Sequence, residues 1–348
     1  VLSLTDDSPL VHPEIPTLRI DPDAAYVVTG GFGAFGTAIA RWLVDEGART
    51  LVLVGRSGPT TDRATEAHDR FSESDVHVVQ ELLDIAEYDA VRAMVGRIGD
   101  SGKKLGGVFH TAGVVDNYAV SDITEDSLRA VFRPKVTGAV NLDRALDEVG
   151  MDPDIFVMFS SMSSLTGGAP QVSYSAANSV LDALAWNRRR RGKTALTVSW
   201  GAMSGGGMAE EKEQVVRYLD MLGFKNIDMD EATSFLRECL TLDIPHVALV
   251  GIDWEQWGVA NPASATIPRF AAHVAAVGGY VDETPVDQAE GLGVAVVAGL
   301  DQKVAVGLAA NGGDVGGTPT EAAWAQHFGR IDVADDDGGV GGAGAQGG

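Results

Sequence analysis

Residues 154–200, DIFVMFSSMSSLTGGAPQVSYSAANSVLDALAWNRRRRGKTALTVSW, constrain the fold more than any other part of this sequence. The run 155–159 is apolar and uncharged, as a buried strand requires. A loop of Ser, Thr, Gly and Pro follows, where polar side chains can stand free at a strand end. The pattern over 172–191 is that of an amphipathic helix, with Val180, Leu181 and Leu184 on the face opposite the arginines. A second β-branched strand at 194–200 closes the unit.

The rest of the chain repeats this alternation. Strands are predicted at 26–29, 50–55, 76–82, 107–111, 154–161, 194–200 and 247–252, with helices at 34–46, 88–99, 125–149 and 172–191. Alternating strands and helices specify an α/β fold, a Rossmann-type doubly wound parallel sheet with helices on both faces. Such sheets take their ligands at the carboxyl ends of the strands. With 348 residues and 45% hydrophobic content, the chain can bury a sizeable core.

Charge and cysteine usage narrow the class. A formal net charge of −23 argues against nucleic acid and against anionic membrane surfaces as partners. The one cysteine, Cys239, has no internal disulfide partner, which fits a reducing, cytoplasmic setting. No apolar run is long enough to span a bilayer. No metal is expected, and the oligomeric state is left open. The opening VLSLTDDSPL reads as a linker from something longer.

The first strand enters TGGFGAFG, in which Gly31, Gly33 and Gly36 have the G-x-G-x-x-G spacing between a strand and a helix. Glycine permits a tight turn and close approach of backbone to a pyrophosphate at the helix N-terminus. Gly30 and Phe35 belong to the same turn. The second strand runs into Arg56 and Ser57, where NAD-specific folds place an acid; an arginine there suits the 2′-phosphate of NADP, so the expected cofactor is NADPH. Asp84, after the third strand, could meet the adenine edge or cap the next helix. The fourth strand ends in GVFHTAGV, a small-residue turn that brings His110, Ala112 and Gly113 near a nicotinamide ribose.

Tyr174 and Asn178 are four residues apart and share one helix face, while Ser161 ends the preceding strand. A tyrosine donates a proton to a developing alkoxide if its pKa is brought down from about 10, and a serine holds the same oxygen by a second hydrogen bond. Four residues after Tyr174 stands Asn178 rather than a lysine. Lys135, in RPKVTG on the helix predicted from Glu125, is then the cation available to the tyrosine.

In their order and spacing, TGGFGAFG, GRSG, HTAGV, RPKVTGA, FSSMSSLTGGAPQVSYSAANSVLDALA and TVSWGAM resemble the ketoreductase domain of a type I polyketide synthase, within the short-chain dehydrogenase/reductase superfamily. The resemblance covers about two thirds of the chain, from Asp23 to Trp257. It rests on the exchanged placement of Lys135 and Asn178, since ordinary superfamily members carry Tyr-x-x-x-Lys. It implies Tyr174 as general acid, Ser161 as second donor to the carbonyl oxygen, Lys135 as ribose ligand that lowers the Tyr174 pKa, and Asn178 as holder of helix geometry or of a relay water. The implied reaction is hydride transfer from NADPH to a β-ketoacyl thioester on an acyl carrier protein, beside other synthase domains.

The departures are also informative. Synthase ketoreductases usually carry an N-terminal structural subdomain, and only about twenty residues precede the catalytic part here. One stereochemical class has Leu-Asp-Asp where this chain has Val115, Asp116 and Asn117; the other has a tryptophan where this chain has Thr166. Asp116 leans the reading to the class making the D-configured alcohol. Residues 199–224 are expected to form a lid, with Met203, Gly205 and Met208 over the substrate. Residues 1–20 are read as linker, 21–275 as the catalytic domain, and 276–348 as a Gly/Ala-rich linker, partly flexible. In that last stretch GLGVAVVAGLDQKVAVGLAANG could pack on the domain or on a neighbour. The basic run 188–191 with Lys193 is either a helix end opposing the macrodipole or a landing site for an acidic carrier protein. A free-standing reductase of a small ketone and a catalytically silent scaffold remain as alternatives.

Overall fold

The computed structural model describes residues 18–72, 75–167, 171–204, 213–267, 270–271, 274, 293–298 and 303–309. Strands β1 (Ala25–Thr29), β2 (Thr50–Gly55), β3 (His77–Leu82), β4 (Leu105–His110), β5 (Ile155–Ser161) and β6 (Leu196–Trp200) alternate with helices α1 (Ala34–Asp45), α2 (Asp62–Ser72), α3 (Tyr88–Asp100), α4 (Glu125–Phe132), α5 (Gly138–Val149), the short α6 (Ser163–Thr166) and α7 (Val172–Arg190). After β6 come α8 (Glu213–Met221), β7 (Phe224–Lys225), α9 (Met229–Cys239), β8 (His246–Ile252) and α10 (Trp254–Ala260). The sheet runs β3-β2-β1-β4-β5-β6-β8, and every pair along that path is parallel.

The order follows from chain connectivity and from burial on both faces. Successive residues of a strand point to opposite sides, so β1 sends Tyr26 and Val28 to one face and Ala25 and Val27 to the other. The first pair packs with Leu43 of α1, Phe71 of α2 and Leu236 of α9. The second pair packs with Met94 of α3, Leu142 of α5 and Leu181 of α7. Strands buried on both faces must read as continuous apolar runs, and AYVVT and IFVMFSS do. Strand ends agree with the sequence expectation to within two residues.

Three differences from expectation have physical causes. The helix expected over 125–149 is interrupted by a π-helical turn, Arg133–Thr137, with Pro134 near its start. Proline lacks the N–H that an uninterrupted helix would use, and the ladder re-forms beyond it. Helix α2 has too few apolar positions in DRATEAHDRFS to show a periodic stripe, yet it buries Ala64, Ala67 and Phe71. Within the stretch expected as linker, strands β9 (Gly293–Ala298) and β10 (Lys303–Ala309) pair antiparallel, and β10 continues the sheet antiparallel beside β8. Among the described residues, no helix is long and apolar enough to cross a membrane.

Candidate active site

Parallel strands bring Thr29, Gly55, His110 and Ser161 to one edge of the sheet, because their registers align β1 with β2 and β4, and β4 with β5. The glycine turn leaves β1 at this edge. Gly30 adopts φ +66°, a conformation that side chains disfavour. A Cβ at Gly36 would stand 2.1 Å from the Gly30 carbonyl oxygen, so α1 can seat this close to the turn only through glycine. Helix α1 begins at Gly33 without a side-chain cap and without an acidic residue in its first turn. An uncapped, uncharged helix start of this kind fits a dinucleotide pyrophosphate. Phe35 turns inward instead: its ring meets Phe159 edge-on at 6.0 Å between centroids, so it supports the turn from below.

Arg56 and Ser57 are exposed just beyond β2. Asp84 does not cap α3, whose first-turn cap position is Glu87. Its carboxylate accepts from Ala86 N at 2.9 Å and from Arg133 at 3.0 Å. Burial raises the Asp84 pKa, but the Ala86 N–H and the Arg133 and Arg56 charges outweigh it, and the net direction is down. Asp84 thus ties the β3 end to the π-helical turn.

Tyr174 lies on the buried side of α7, 8% exposed. Burial pushes its phenol pKa up, while hydrogen bonding to Asn178 and to Ser161 pulls it down; the net direction is up. Asn178 is buried and donates from Nδ2 to the Tyr174 carbonyl at 2.9 Å, and its Oδ1 is a buried acceptor without a partner. Ser161 Oγ accepts from Ser163 N at 3.2 Å, which fixes the hydroxyl at the end of β5. The neighbouring Ser160 is turned to the interior, toward the Asn178 carbonyl at 3.4 Å. Alternation along β5 therefore separates the two serines: one faces the cleft edge and the other the core.

Lys135 is 4% exposed, far from the solvated lysine typical of a helix surface. Its ammonium donates to the Phe159 carbonyl at 2.7 Å and stands 5.1 Å from the Tyr174 ring centroid. Burial depresses the Lys135 pKa to about 7, with Asp182 opposing. Gly113 makes room for it, since a Cβ there would come within 3.1 Å of Lys135 Cε.

His110 departs from expectation. It is 1% exposed, and both ring nitrogens are engaged inside the protein, with Thr29 Oγ1 at 2.8 Å and the Lys135 carbonyl at 2.8 Å. Ala112 N reaches Thr29 Oγ1 at 3.4 Å. Thr29 and Phe159 complete the site, yet neither carries a motif of its own; Thr29 is marked only by preceding the glycine turn.

Beyond β4, both Asp116 carboxylate oxygens are solvent-excluded and without hydrogen-bond partners. Asn117 Oδ1 accepts from Gln171 Nε2 at 3.1 Å, and Tyr118 bridges to Gln171. Met203 is buried and bridges to Ile227, so it belongs to the wall rather than to a moving cover. Gly205 and Met208 lie outside the described residues. The basic run is mostly neutralised: Arg188 is fully buried against Asp143, Arg191 pairs with Asp143 at 2.6 Å and Asp147 at 2.7 Å, Lys193 pairs with Asp147, and Arg189 pairs with Asp243.

Tyr174, Asn178 and Lys135 are thus buried, and Ser161 half-buried, at the strand edge that also holds the glycine turn. The KR domain family matches residues 24–205. The chain belongs to this family. Polyketide synthase GfsA of Streptomyces halstedii is 36% identical to this chain over 251 residues, which is 72% of this chain and 3% of that protein. The chain thus spans a small part of such relatives. Among solved structures, an A-type ketoreductase from a modular polyketide synthase aligns with TM-score 0.66 at 33% identity, covering 72% of this chain and 52% of that one. A C2-type ketoreductase from a modular synthase aligns with TM-score 0.63 at 26% identity, covering 71% and 52%. The family carries ketoreduction in polyketide biosynthesis, and its solved members share the Rossmann-type sheet seen here.

Proposed function

We propose that this KR domain reduces a β-ketoacyl thioester, held on an acyl carrier protein, to the β-hydroxyacyl thioester, working in the cytoplasm beside the other domains of a polyketide synthase. The observation that carries the reading is the buried Tyr174 with Ser161 and Asn178 as hydrogen-bond partners and Lys135 over its ring, at the strand edge that also holds the glycine turn.

NADPH is the cofactor in this reading and supplies the hydride when bound. The turn from Gly30 to Gly36 would hold its pyrophosphate, Arg56 and Ser57 its 2′-phosphate, and Ala112, Gly113 and Lys135 its nicotinamide ribose. Tyr174 carries its proton at neutral pH, because burial raises the phenol. A protonated phenol is the form a general acid needs, and it gives that proton to the substrate oxygen as negative charge develops there. Ser161 donates a second hydrogen bond to the same oxygen. The unpartnered Asn178 Oδ1 suits an acceptor for a relay water that returns a proton to Tyr174.

The D-configured alcohol is the product in this reading, on the match of Asp116 to the Asp-bearing stereochemical class. The backbone likeness does not sort the stereochemical classes, since A-type and C2-type structures align comparably. The test is to incubate the purified chain with NADPH and a β-ketoacyl N-acetylcysteamine thioester and resolve the product by chiral chromatography. The D-configured β-hydroxyacyl thioester is expected. The L-configured product would overturn the stereochemical part alone, and no product would overturn the reading itself.

A further inference from the structure

Lys135 is held at two points. Its ammonium is bonded to the Phe159 carbonyl at 2.7 Å, and its own backbone carbonyl faces His110 Nε2 at 2.8 Å. A carbonyl oxygen can only accept, so Nε2 carries the ring proton. His110 is neutral above acid pH, because burial and the Lys135 charge depress its pKa to about 4. Nδ1 is then an acceptor, and the group at 2.8 Å from it is the Thr29 hydroxyl, which donates. The direction of every bond in the chain Thr29–His110–Lys135 is thereby fixed.

The surroundings fit a constrained link rather than a packed ring. Thr29 is the last residue of β1 and precedes Gly30, so the chain starts where the backbone enters the glycine turn. Lys135 stands in the middle of the π-helical turn, whose extra residue redirects side chains and carbonyls, and such turns concentrate at functional sites. The Lys135 carbonyl is also in reach of Gly138 N–H, so His110 takes its second lone pair. Gly138 lies against the imidazole: a Cβ there would come within 3.2 Å of His110 Cε1. On the outer side, Arg133 fixes the same turn to Asp84 and Glu87.

We propose that His110 is a positioning residue for the reduction: it holds the Lys135 turn by its carbonyl and couples it, through Thr29, to the strand that opens into the glycine turn. This rests on the reading of Lys135 given above. Displacing the carbonyl rotates the turn and moves the ammonium off the Phe159 carbonyl and the Tyr174 ring. The dinucleotide turn and the lysine thus keep their relative placement through one buried imidazole.

Two amide replacements separate the two ends of the link. His110→Gln places an N–H near the Nε2 position and keeps the bond to the Lys135 carbonyl. His110→Asn is too short for that bond but keeps an acceptor for Thr29. Turnover of the β-ketoacyl thioester and thermal midpoints are measured for both, with Lys135→Met alongside. The expected result is a kcat roughly tenfold lower for Asn than for Gln, the scale of one lost buried hydrogen bond, at similar thermal midpoints. Equal kcat in the two, with Lys135→Met strongly impaired, would overturn the link alone. Wild-type turnover in Lys135→Met would remove the reading of the lysine, and the link with it. Should either His110 variant fail to fold, ring ¹⁵N shifts of His110 in the unaltered protein decide. A neutral Nε2–H tautomer at pH 6 supports the link, and an Nδ1–H or doubly protonated ring overturns it.

Discussion

Tyr174 works as an acid because it is buried, and the same burial lets one atom be removed cleanly. Tyr174→Phe keeps the ring and its packing against Val131 and Ala177 and deletes only the proton donor. Reduction is expected to fall by about two to four orders of magnitude while NADPH affinity, read by fluorescence titration, stays within a few-fold of wild type. Arg56 decides cofactor choice: Arg56→Asp is expected to raise the KM for NADPH by at least tenfold while leaving that for NADH nearly unchanged. Burial pulls the Lys135 pKa down to about 7 in the cofactor-free protein, so its ammonium is lost as pH rises through that range. If the ammonium holds the ribose, the advantage in NADPH affinity of wild type over Lys135→Met shrinks as pH rises through 7. His110 acts on stability in the opposite limb. Its folded pKa, about 4, lies below the unfolded value of 6.5, so the unfolded chain takes up a proton first as pH falls. Stability is therefore lost between pH 6.5 and 4, by at most about 3 kcal/mol, and urea titrations of His110→Gln should show a shallower loss over that window.

At the scale of elements, α7 carries the site on one side and seals the sheet on the other. Its C-terminal arginines are structural. Arg188 is fully buried, stacked 3.9 Å from the Phe156 ring centroid, with Asp143 as its close counter-charge and Asp152 at 3.8 Å. Asp143→Ala removes the close counter-charge and leaves only Asp152 at 3.8 Å, so it is expected to destabilise the fold by about 3 kcal/mol, measured by urea unfolding. The run of arginines was readable in the sequence, but its partners were not, because Asp143, Asp147 and Asp243 come from other elements. The π-helical turn was hidden for a related reason: Pro134 signals a disturbance within a helix but not the carbonyl it turns toward. Ser161, Tyr174 and Asn178 were legible because a strand end and a helix face fix their neighbours locally. His110 was misread as a lining residue, since HTAG marks a turn at a strand end without saying which way the imidazole points.

At the scale of the whole molecule, alternation of strand and helix was enough to specify a doubly wound sheet, and strand limits followed from apolar runs. The order β3-β2-β1-β4-β5-β6-β8 needs chain crossovers that no local pattern records, and the antiparallel addition of β10 beside β8 joins residues far apart in sequence. The fold brings the glycine turn, Lys135, Ser161 and Tyr174 to one edge, and that convergence is the basis for reading the chain as a reductase. The most direct test is NADPH oxidation by the purified chain with a β-ketoacyl group loaded on an acyl carrier protein, wild type beside Tyr174→Phe. The account predicts carrier-bound β-hydroxyacyl product formed in step with NADPH consumption by the wild type, and neither in the variant. NADPH-dependent turnover that survives loss of the Tyr174 hydroxyl would contradict it.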